Sequence, residues 1–297
     1  MTQTIYYMNI NRYFSFSRFV GVMKRDLVEN WKVNLRMFLG PYAIILIVMF
    51  LCYINMENFS EFSDVIAGIF LCVLVIGSTF VASQIMEPMD SQQNRISYLM
   101  LPATSLEKFV VRSLLVTVGF IFMTTIALLL AEVTRFFFLP LFDLPETFQQ
   151  STLPYVFNAL NFLADPSYVT VSNTWPEEQT YNILLAQFCS LLYMVWIHSF
   201  FILGGCYWYK YPFWKTLGSL IVAHALVLSV IANMLMQLMV NNWEKYRESL
   251  EPFFGGVTIN QSLTFFSTLW CLLIILNWCL SYKLFTRSQV IKPKFRL

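Results

Sequence analysis

Six long intervals of this sequence contain no charged residue and consist mainly of apolar side chains. A helix that crosses a membrane needs about 20 apolar residues. A soluble domain normally has about 25% charged residues, whereas 12% of this chain is charged and 58% is hydrophobic. The sequence therefore predicts an all-α, polytopic membrane protein with six transmembrane helices. After a lead of residues 1–36, we place a membrane domain at 37–297, with spans at 37–55, 65–85, 111–132, 182–207, 214–239 and 262–284.

A further uncharged interval lies inside the largest predicted loop, which covers about 133–181. Residues 147–164 have many polar groups and Pro154 near their middle, so we do not interpret them as a span. We expect a short helix here, either at the membrane interface or re-entrant. The apolar side chains expected to face lipid or protein are Phe157, Leu160 and Phe162.

Lys and Arg residues are distributed unequally between the predicted loops. They concentrate in the N-terminal lead, the second-to-third loop, the fourth-to-fifth loop and the C-terminal tail, while the other loops are mostly acidic. Loops rich in Lys and Arg remain on the cytoplasmic side of a membrane. We therefore expect both termini to be cytoplasmic and the 133–181 loop to lie outside.

The lead is amphipathic over residues 15–38. An apolar stripe opposite a basic face favours a helix lying along the membrane surface. Two interpretations remain open for it: an elbow that joins a cytoplasmic partner to the first span, or a simple topogenic anchor. The apolar stripe consists of Phe16, Phe19, Val20, Met23, Leu27, Trp31, Leu35 and Phe38.

The sequence lacks the common motifs of catalysis and nucleotide binding. It contains no GxxxxGK[ST], HExxH or GxSxG pattern, and its six cysteines form no CxxC pair. We therefore predict no catalytic or metal-binding residues and no enzyme activity. Within the spans, His198, His224 and Asn233 are polar enough to line a substrate path. For a histidine at such depth, a hydrogen bond to a neighbouring helix is the simpler interpretation.

The loop between the second and third spans has a defined local pattern. After Pro88, the segment "DSQQNRISYLML" can form a short helix, with Asp90 or Ser91 as its N-cap. Pro102 ends this helix, because it lacks an N–H and restricts the preceding residue. Thr104 and Glu107 then form a capping box at the start of the third span. The loop could transmit force from a docked protein, or it could be an interface helix without a partner.

This loop resembles that of permease subunits in the type-two ABC exporter family. The resemblance lies in Glu87, the helix "RISYLML", Pro102 and Arg112, and "LMLPATSLEKFVVR" is particularly similar to some members. It implies that the loop helix docks on a separate ATPase subunit, which would hold ATP and Mg²⁺. It also implies a homodimer or heterodimer of permeases in a bacterial inner membrane, with no nucleic-acid partner.

The expected coupling residues follow from this resemblance. Docking would involve Arg95, Tyr98, Leu99 and Leu101, while Pro102, Thr104 and Glu107 hold the geometry beside Glu87. Two other functions remain open on the residues alone. One is a membrane anchoring or assembly protein that transports nothing, and the other is an ATP-independent channel or carrier.

Overall fold

The computed structural model of the protein describes residues 14–56, 58–89, 91–141, 145–160, 168–171, 179–240 and 258–288. Six of its helices are long and apolar enough to cross a membrane, which confirms the predicted fold class. These candidate spans are Trp31–Asn55, Phe59–Met89, Ser105–Leu141, Ile183–Tyr207, Pro212–Val230 and Ile259–Ser288.

The described elements are named here in chain order. The helices are α1 (Phe16–Glu29), α2 (Trp31–Asn55), α3 (Phe59–Ser83), α4 (Gln92–Leu99), α5 (Ser105–Leu114), α6 (Phe120–Phe138), α7 (Leu153–Leu160), α8 (Ile183–Tyr207), α9 (Pro212–Val240) and α10 (Ile259–Ser288). Short 3₁₀ turns cover Glu87–Met89, Leu139–Leu141 and Glu146–Gln149. A small antiparallel ladder joins β1 (Tyr168–Val171) to β2 (Gln179–Asn182), and it was not predicted.

The first span begins earlier than the apolar run suggested. Helix α2 starts at Trp31 rather than near residue 37, so Pro41 lies inside the helix and not in its first turn. The helix extends beyond the predicted span because hydropathy marks the part of a helix that lies in lipid. Charged residues such as Lys32 and Arg36 can continue the same helix into water.

The amphipathic lead forms a separate helix. Helix α1 ends at Glu29, and α2 begins after Asn30, so the predicted stripe of residues 15–38 is divided between two helices. Phe19 and Val22 are buried in a small cluster with Val111 of the third span, whereas Phe16 stays exposed. The part of the predicted lead at 1–13 lies outside the described residues.

The third span changes helix type near its start. Helix α5 continues through a π-helical turn, Leu115–Gly119, into α6. Directly after this turn, the Phe120 ring packs against Gly77 of the second span. A Cβ atom at Gly77 would lie 2.5 Å from this ring, so the two spans approach closely only because residue 77 is glycine. Such π turns are rare and often occur at functional positions.

Two larger apolar clusters hold the spans together. One joins the first, second and third spans to α7, around Ile45, Phe62, Phe70 and Leu128. The other joins the end of the second span to the fourth, fifth and sixth spans, and it includes Ile85, Phe201, Ile202 and Phe285. The loop between the second and third spans lies against this second cluster through Tyr98.

The 147–164 interval contains the short helix that its sequence suggested. Helix α7 has Pro154 in its first turn, where a missing N–H costs little. Phe148 and Val156 are buried against the second span, and Phe157 is exposed. Phe162 and the side chain of Leu160 lie outside the described residues.

Candidate functional site

The loop between the second and third spans begins with a capped short helix. We call α4 (Gln92–Leu99) the loop helix. Its N-cap is Ser91, whose hydroxyl oxygen accepts a hydrogen bond from the Asn94 N–H at 3.1 Å. The cap satisfies one of the N–H groups that the first turn of a helix leaves unpaired. The predicted short helix and its serine cap are thus present.

Pro102 lies in the bend that separates the loop helix from the third span. The predicted capping box follows directly. The Thr104 hydroxyl accepts from the Glu107 N–H at 3.2 Å, and the Glu107 carboxylate accepts from the Thr104 N–H at 2.8 Å. The start of the third span is therefore fixed by reciprocal hydrogen bonds and a proline.

The Glu107 carboxylate also binds the lead helix α1. Its Oε1 atom accepts from the Ser15 N–H at 2.6 Å and from Arg18 Nη2 at 3.0 Å. The Glu107 side chain is fully buried. One carboxylate thus joins the N-termini of two helices that lie far apart in the sequence, and four donors compensate for removing its charge from water.

A second buried ion pair joins the same elements one turn further along. Arg112 Nη1 donates to Asp26 Oδ2 at 3.0 Å, and both side chains are about 95% buried. The same guanidinium donates to the carbonyl oxygens of Ile85 at 3.3 Å and Gln84 at 3.4 Å. Arg112 therefore holds together α1, the end of the second span and the start of the third span.

The predicted docking residues occupy different environments. Arg95 donates to the Met89 carbonyl at 3.2 Å, so it stabilises the turn before the loop helix. Tyr98 is buried, and its hydroxyl donates to the Lys108 carbonyl at 3.3 Å. Burial raises the pKa of the Tyr98 phenol above its usual range, so the hydroxyl stays a donor. Leu101 packs partly buried beside Tyr98, and the side chain of Leu99 lies outside the described residues.

Other side chains form the outward surface of the loop helix. Ile96 is 51% exposed and Met100 is 79% exposed, and the two lie one turn apart. Arg25 of the lead helix donates to Ser97 Oγ at 2.7 Å at the edge of this surface. Glu87 lies in the 3₁₀ turn before the loop helix, where its Oε1 atom is 3.5 Å from Arg36 Nη2. Ile96 and Met100 were not among the predicted docking residues, because the spacing i, i+4 shows that two residues share a helix face and not which way that face points.

The polar residues predicted inside the spans lie at different positions along their helices. His224 Nδ1 lies 2.9 Å from the Leu220 carbonyl oxygen, and its Nε2 forms a hydrogen bond with the Tyr193 hydroxyl at 3.1 Å. This histidine therefore joins α8 to α9. Tyr193 precedes His198 by about 7.5 Å along α8, and Asn233 lies roughly 13.5 Å beyond His224 along α9.

A charged cluster at the far end of the third span was not identified as a site in the sequence. Arg135 donates to both carboxylate oxygens of Glu132, at 2.9 and 2.8 Å, and neither side chain is exposed by more than 4%. The carboxylate also accepts from the Thr152 N–H at 2.8 Å, and Arg135 donates to the Phe148 carbonyl at 2.9 Å. The sequence did contain one indication of this ion pair, since Glu132 and Arg135 are opposite charges at positions i and i+3 at the end of an apolar run.

The ion pairs and hydrogen bonds described above can fix helices relative to one another. Within the described ranges, no three His, Cys, Asp or Glu side chains lie close enough to hold a metal ion. In comparisons with known proteins, no family model, no curated protein and no solved structure matches the chain.

Proposed function

We propose that this chain is the membrane-spanning permease subunit of an ATP-driven exporter in a bacterial inner membrane. A separate ATPase subunit, with ATP and Mg²⁺, would dock on the loop helix from the cytoplasm. Two permease chains, identical or different, would form the substrate path. Both termini would be cytoplasmic, as the distribution of Lys and Arg indicates.

The observation that carries this proposal is the connection of the loop helix to the rest of the chain. Tyr98 anchors the loop helix to the third span, and Arg112 and Glu107 tie that span to α1. A push on Ile96 and Met100 would therefore move three helices together rather than bend a slack loop. Such a connection is expected where a partner supplies mechanical work, because this sequence has no phosphate-binding loop of its own.

The π turn at Leu115–Gly119 supports the same proposal. It lies about one turn beyond Arg112, where the rigid start of the third span gives way to α6. The Thr117 hydroxyl donates to the Ser113 carbonyl at 2.6 Å within this region. A helix that changes its hydrogen-bond pattern can tilt there without breaking. We propose that the third span pivots at this turn when the loop helix is pushed.

A co-purification experiment tests the docking surface. The tagged full-length chain is purified in gentle detergent from its native cells, and the retained proteins are identified by mass spectrometry. We expect a stoichiometric protein with a GxxxxGK[ST] motif. Ile96→Asp combined with Met100→Asp should lower its recovery about tenfold or more, because two exposed apolar contacts become charged.

The control is Leu141→Asp, which places one negative charge on a residue 75% exposed at the opposite end of the third span. It should leave the recovered ATPase unchanged. If this chain emerges alone from complexes known to survive the detergent, the exporter proposal is wrong. A retained partner without an ATPase motif would instead favour the anchoring or assembly function.

Pro102→Ala should separate docking from force transmission. Alanine restores an N–H and frees the preceding residue, so the bend between Leu101 and Thr104 becomes softer by about 1 kcal/mol. We expect unchanged recovery of the ATPase and a severalfold loss in the stimulation of its ATP hydrolysis by the permease. The control Pro140→Ala, in the exposed turn at the other end of the span, should leave both quantities unchanged. Normal stimulation in Pro102→Ala would contradict the coupling role.

A further inference from the structure

An apolar groove of about 380 Å³ lies between the fourth, fifth and sixth spans. It is found where α8 ends and α9 begins, beside the last turns of α10. Its walls include Leu203, Tyr207, Trp208, Ser219, Leu280 and Leu284. Small-molecule sites commonly enclose roughly 300 to 1,000 Å³. The groove is therefore large enough for part of a lipid or another elongated apolar group.

The hydroxyl groups in the groove walls are already bonded within their own helix. Thr216 Oγ1 donates to the Pro212 carbonyl at 2.7 Å, and Ser219 Oγ donates to the Thr216 carbonyl at 2.8 Å. These groups thus offer no free donor to a polar ligand. The rest of the wall is apolar, with Leu203, Leu280 and Leu284 beside the rings of Phe200, Tyr207 and Trp208, so a hydrocarbon chain fits this surface.

Basic side chains surround one end of this groove. Lys215 lies in the first turn of α9, and its Nζ atom is 5.2 Å from the centre of the Trp208 ring. Lys283 is exposed and follows Leu280 by three positions, so both lie on one face of α10. Arg287 continues that face one turn later. The cations therefore lie at the end of the groove where the helices leave the apolar region.

These cations have no acidic counterpart on the helices that form the groove. Residues 179–240 and 258–288 contain neither Asp nor Glu. Tyr207 and Trp208 flank the same end, and aromatic residues of this kind concentrate at the headgroup level of a bilayer. An apolar groove, an aromatic border and basic residues on helices without Asp or Glu together complement a molecule with a hydrocarbon chain and an anionic head.

We propose that this groove binds an anionic glycerophospholipid of the surrounding bilayer. One acyl chain would lie along Leu203, Leu280 and Leu284, and the phosphate would lie near Lys215 and Lys283. Basic pockets between membrane helices recognise anionic headgroups in this way. The proposal is independent of the exporter function, since it rests only on the ends of α8, α9 and α10.

Photo-crosslinking tests the site on the full-length chain in detergent. The probes are phosphatidylglycerol and phosphatidylcholine with identical diazirine-bearing acyl chains, and the labelled peptides are identified by mass spectrometry. We expect phosphatidylglycerol to label the peptides containing Leu203, Leu280 or Leu284 at least about tenfold more than phosphatidylcholine does. The preference should fall with added salt, since the cations are exposed.

Lys215→Gln combined with Lys283→Gln should remove most of this preference. Each basic residue near an anionic headgroup contributes about a fivefold gain in binding, so loss of both should bring phosphatidylglycerol labelling down to about the level of phosphatidylcholine labelling. The control Lys24→Gln with Lys32→Gln removes two exposed lysines elsewhere and should leave groove labelling unchanged. Ser219→Trp should fill the groove and reduce labelling by both lipids, and a thermal-stability measurement verifies that each variant is folded.

Three results would overturn the proposal. They are equal labelling by the two lipids, labelling confined to peptides outside the groove, and a lysine double variant that keeps the full preference. Loss of the bound ATPase, by contrast, would affect the proposed function and leave this site unchanged.

Discussion

Glu132→Gln should lower the free energy of unfolding by about 3 to 5 kcal/mol, because it leaves a buried guanidinium without its counter-charge. The Arg135 side chain is fully buried, and its Nε and Nη2 atoms both donate to Glu132. An amide at position 132 can accept through only one oxygen. Its NH₂ group would face donors on Arg135 and Thr152, and the Ser151 and Thr152 hydroxyls can turn to accept from it but cannot replace the lost negative charge.

The loss would spread beyond the ion pair itself. Glu132 and Arg135 together hold the backbone of the segment after the third span, through the Thr152 N–H and the Phe148 carbonyl. Phe148 in turn packs against the Tyr53 ring of the first span, with ring centres 5.9 Å apart. Weakening the pair should therefore loosen the contact between α7 and the first two spans.

Unfolding by SDS titration in mixed micelles measures this effect. The matched control is Glu61→Gln, the same change at an exposed carboxylate at the start of the second span, which should shift stability by less than about 0.5 kcal/mol. Arg135→Met should be as harmful as Glu132→Gln. The double variant should lose less than the sum of the two, because the second substitution no longer strands a charge. Additive losses would contradict a coupled buried pair.

The membrane architecture was predictable because the bilayer imposes a simple rule on sequence. Each span needs a long apolar run, and the six runs correspond to the six long helices. The capping box was predictable for a similar reason, since Thr104 and Glu107 lie within one turn of each other. Helix ends were less predictable. The first span begins at Trp31, because helical hydrogen bonding continues past the edge of the apolar run.

The ties between distant elements were not predictable from local pattern. Asp26 and Arg112 are 86 positions apart, and nothing in either neighbourhood identifies the other as its partner. The orientation of the loop helix was equally hidden. Tyr98 and Ile96 both lie on a short amphipathic segment, and only the packing of the second and third spans buries the tyrosine and exposes the isoleucine. Long-range packing decides such choices.

Arg112→Gln should release the lead helix from the third span. The Asp26 carboxylate would remain buried without a cation, which typically costs about 3 to 5 kcal/mol. The Gln84 and Ile85 carbonyls would lose donors as well. Arg112→Lys should cost less stability than Arg112→Gln but more than the unchanged arginine. An ammonium keeps the charge, but it lacks the planar guanidinium fork that reaches three acceptors.

Hydrogen–deuterium exchange of the α1 amides measures this release. If the opening free energy falls by about 3 kcal/mol, exchange in α1 should accelerate by roughly a hundredfold. The control Arg36→Gln removes a guanidinium that is 73% exposed and pairs with Glu87 across 3.5 Å. Surface pairs of this kind contribute little, so exchange in α1 should stay near its original rate. Unchanged exchange in Arg112→Gln would show that Glu107 and the apolar cluster suffice to hold α1.

The same variant distinguishes coupling from docking in the proposed exporter. Arg112 lies behind the loop helix and is about 95% buried, so Arg112→Gln should leave recovery of the ATPase unchanged while reducing its stimulation. The double variant Ile96→Asp with Met100→Asp should lower both the recovery of the ATPase and its stimulation. If Arg112→Gln loosened α1 yet left stimulation intact, force would reach the third span through Tyr98 and Pro102 without α1, and α1 would serve as an anchor. If the protection of α1 and the stimulation of the ATPase fell together, α1 would be a mechanical part of the permease, because Arg112 holds α1 through Asp26.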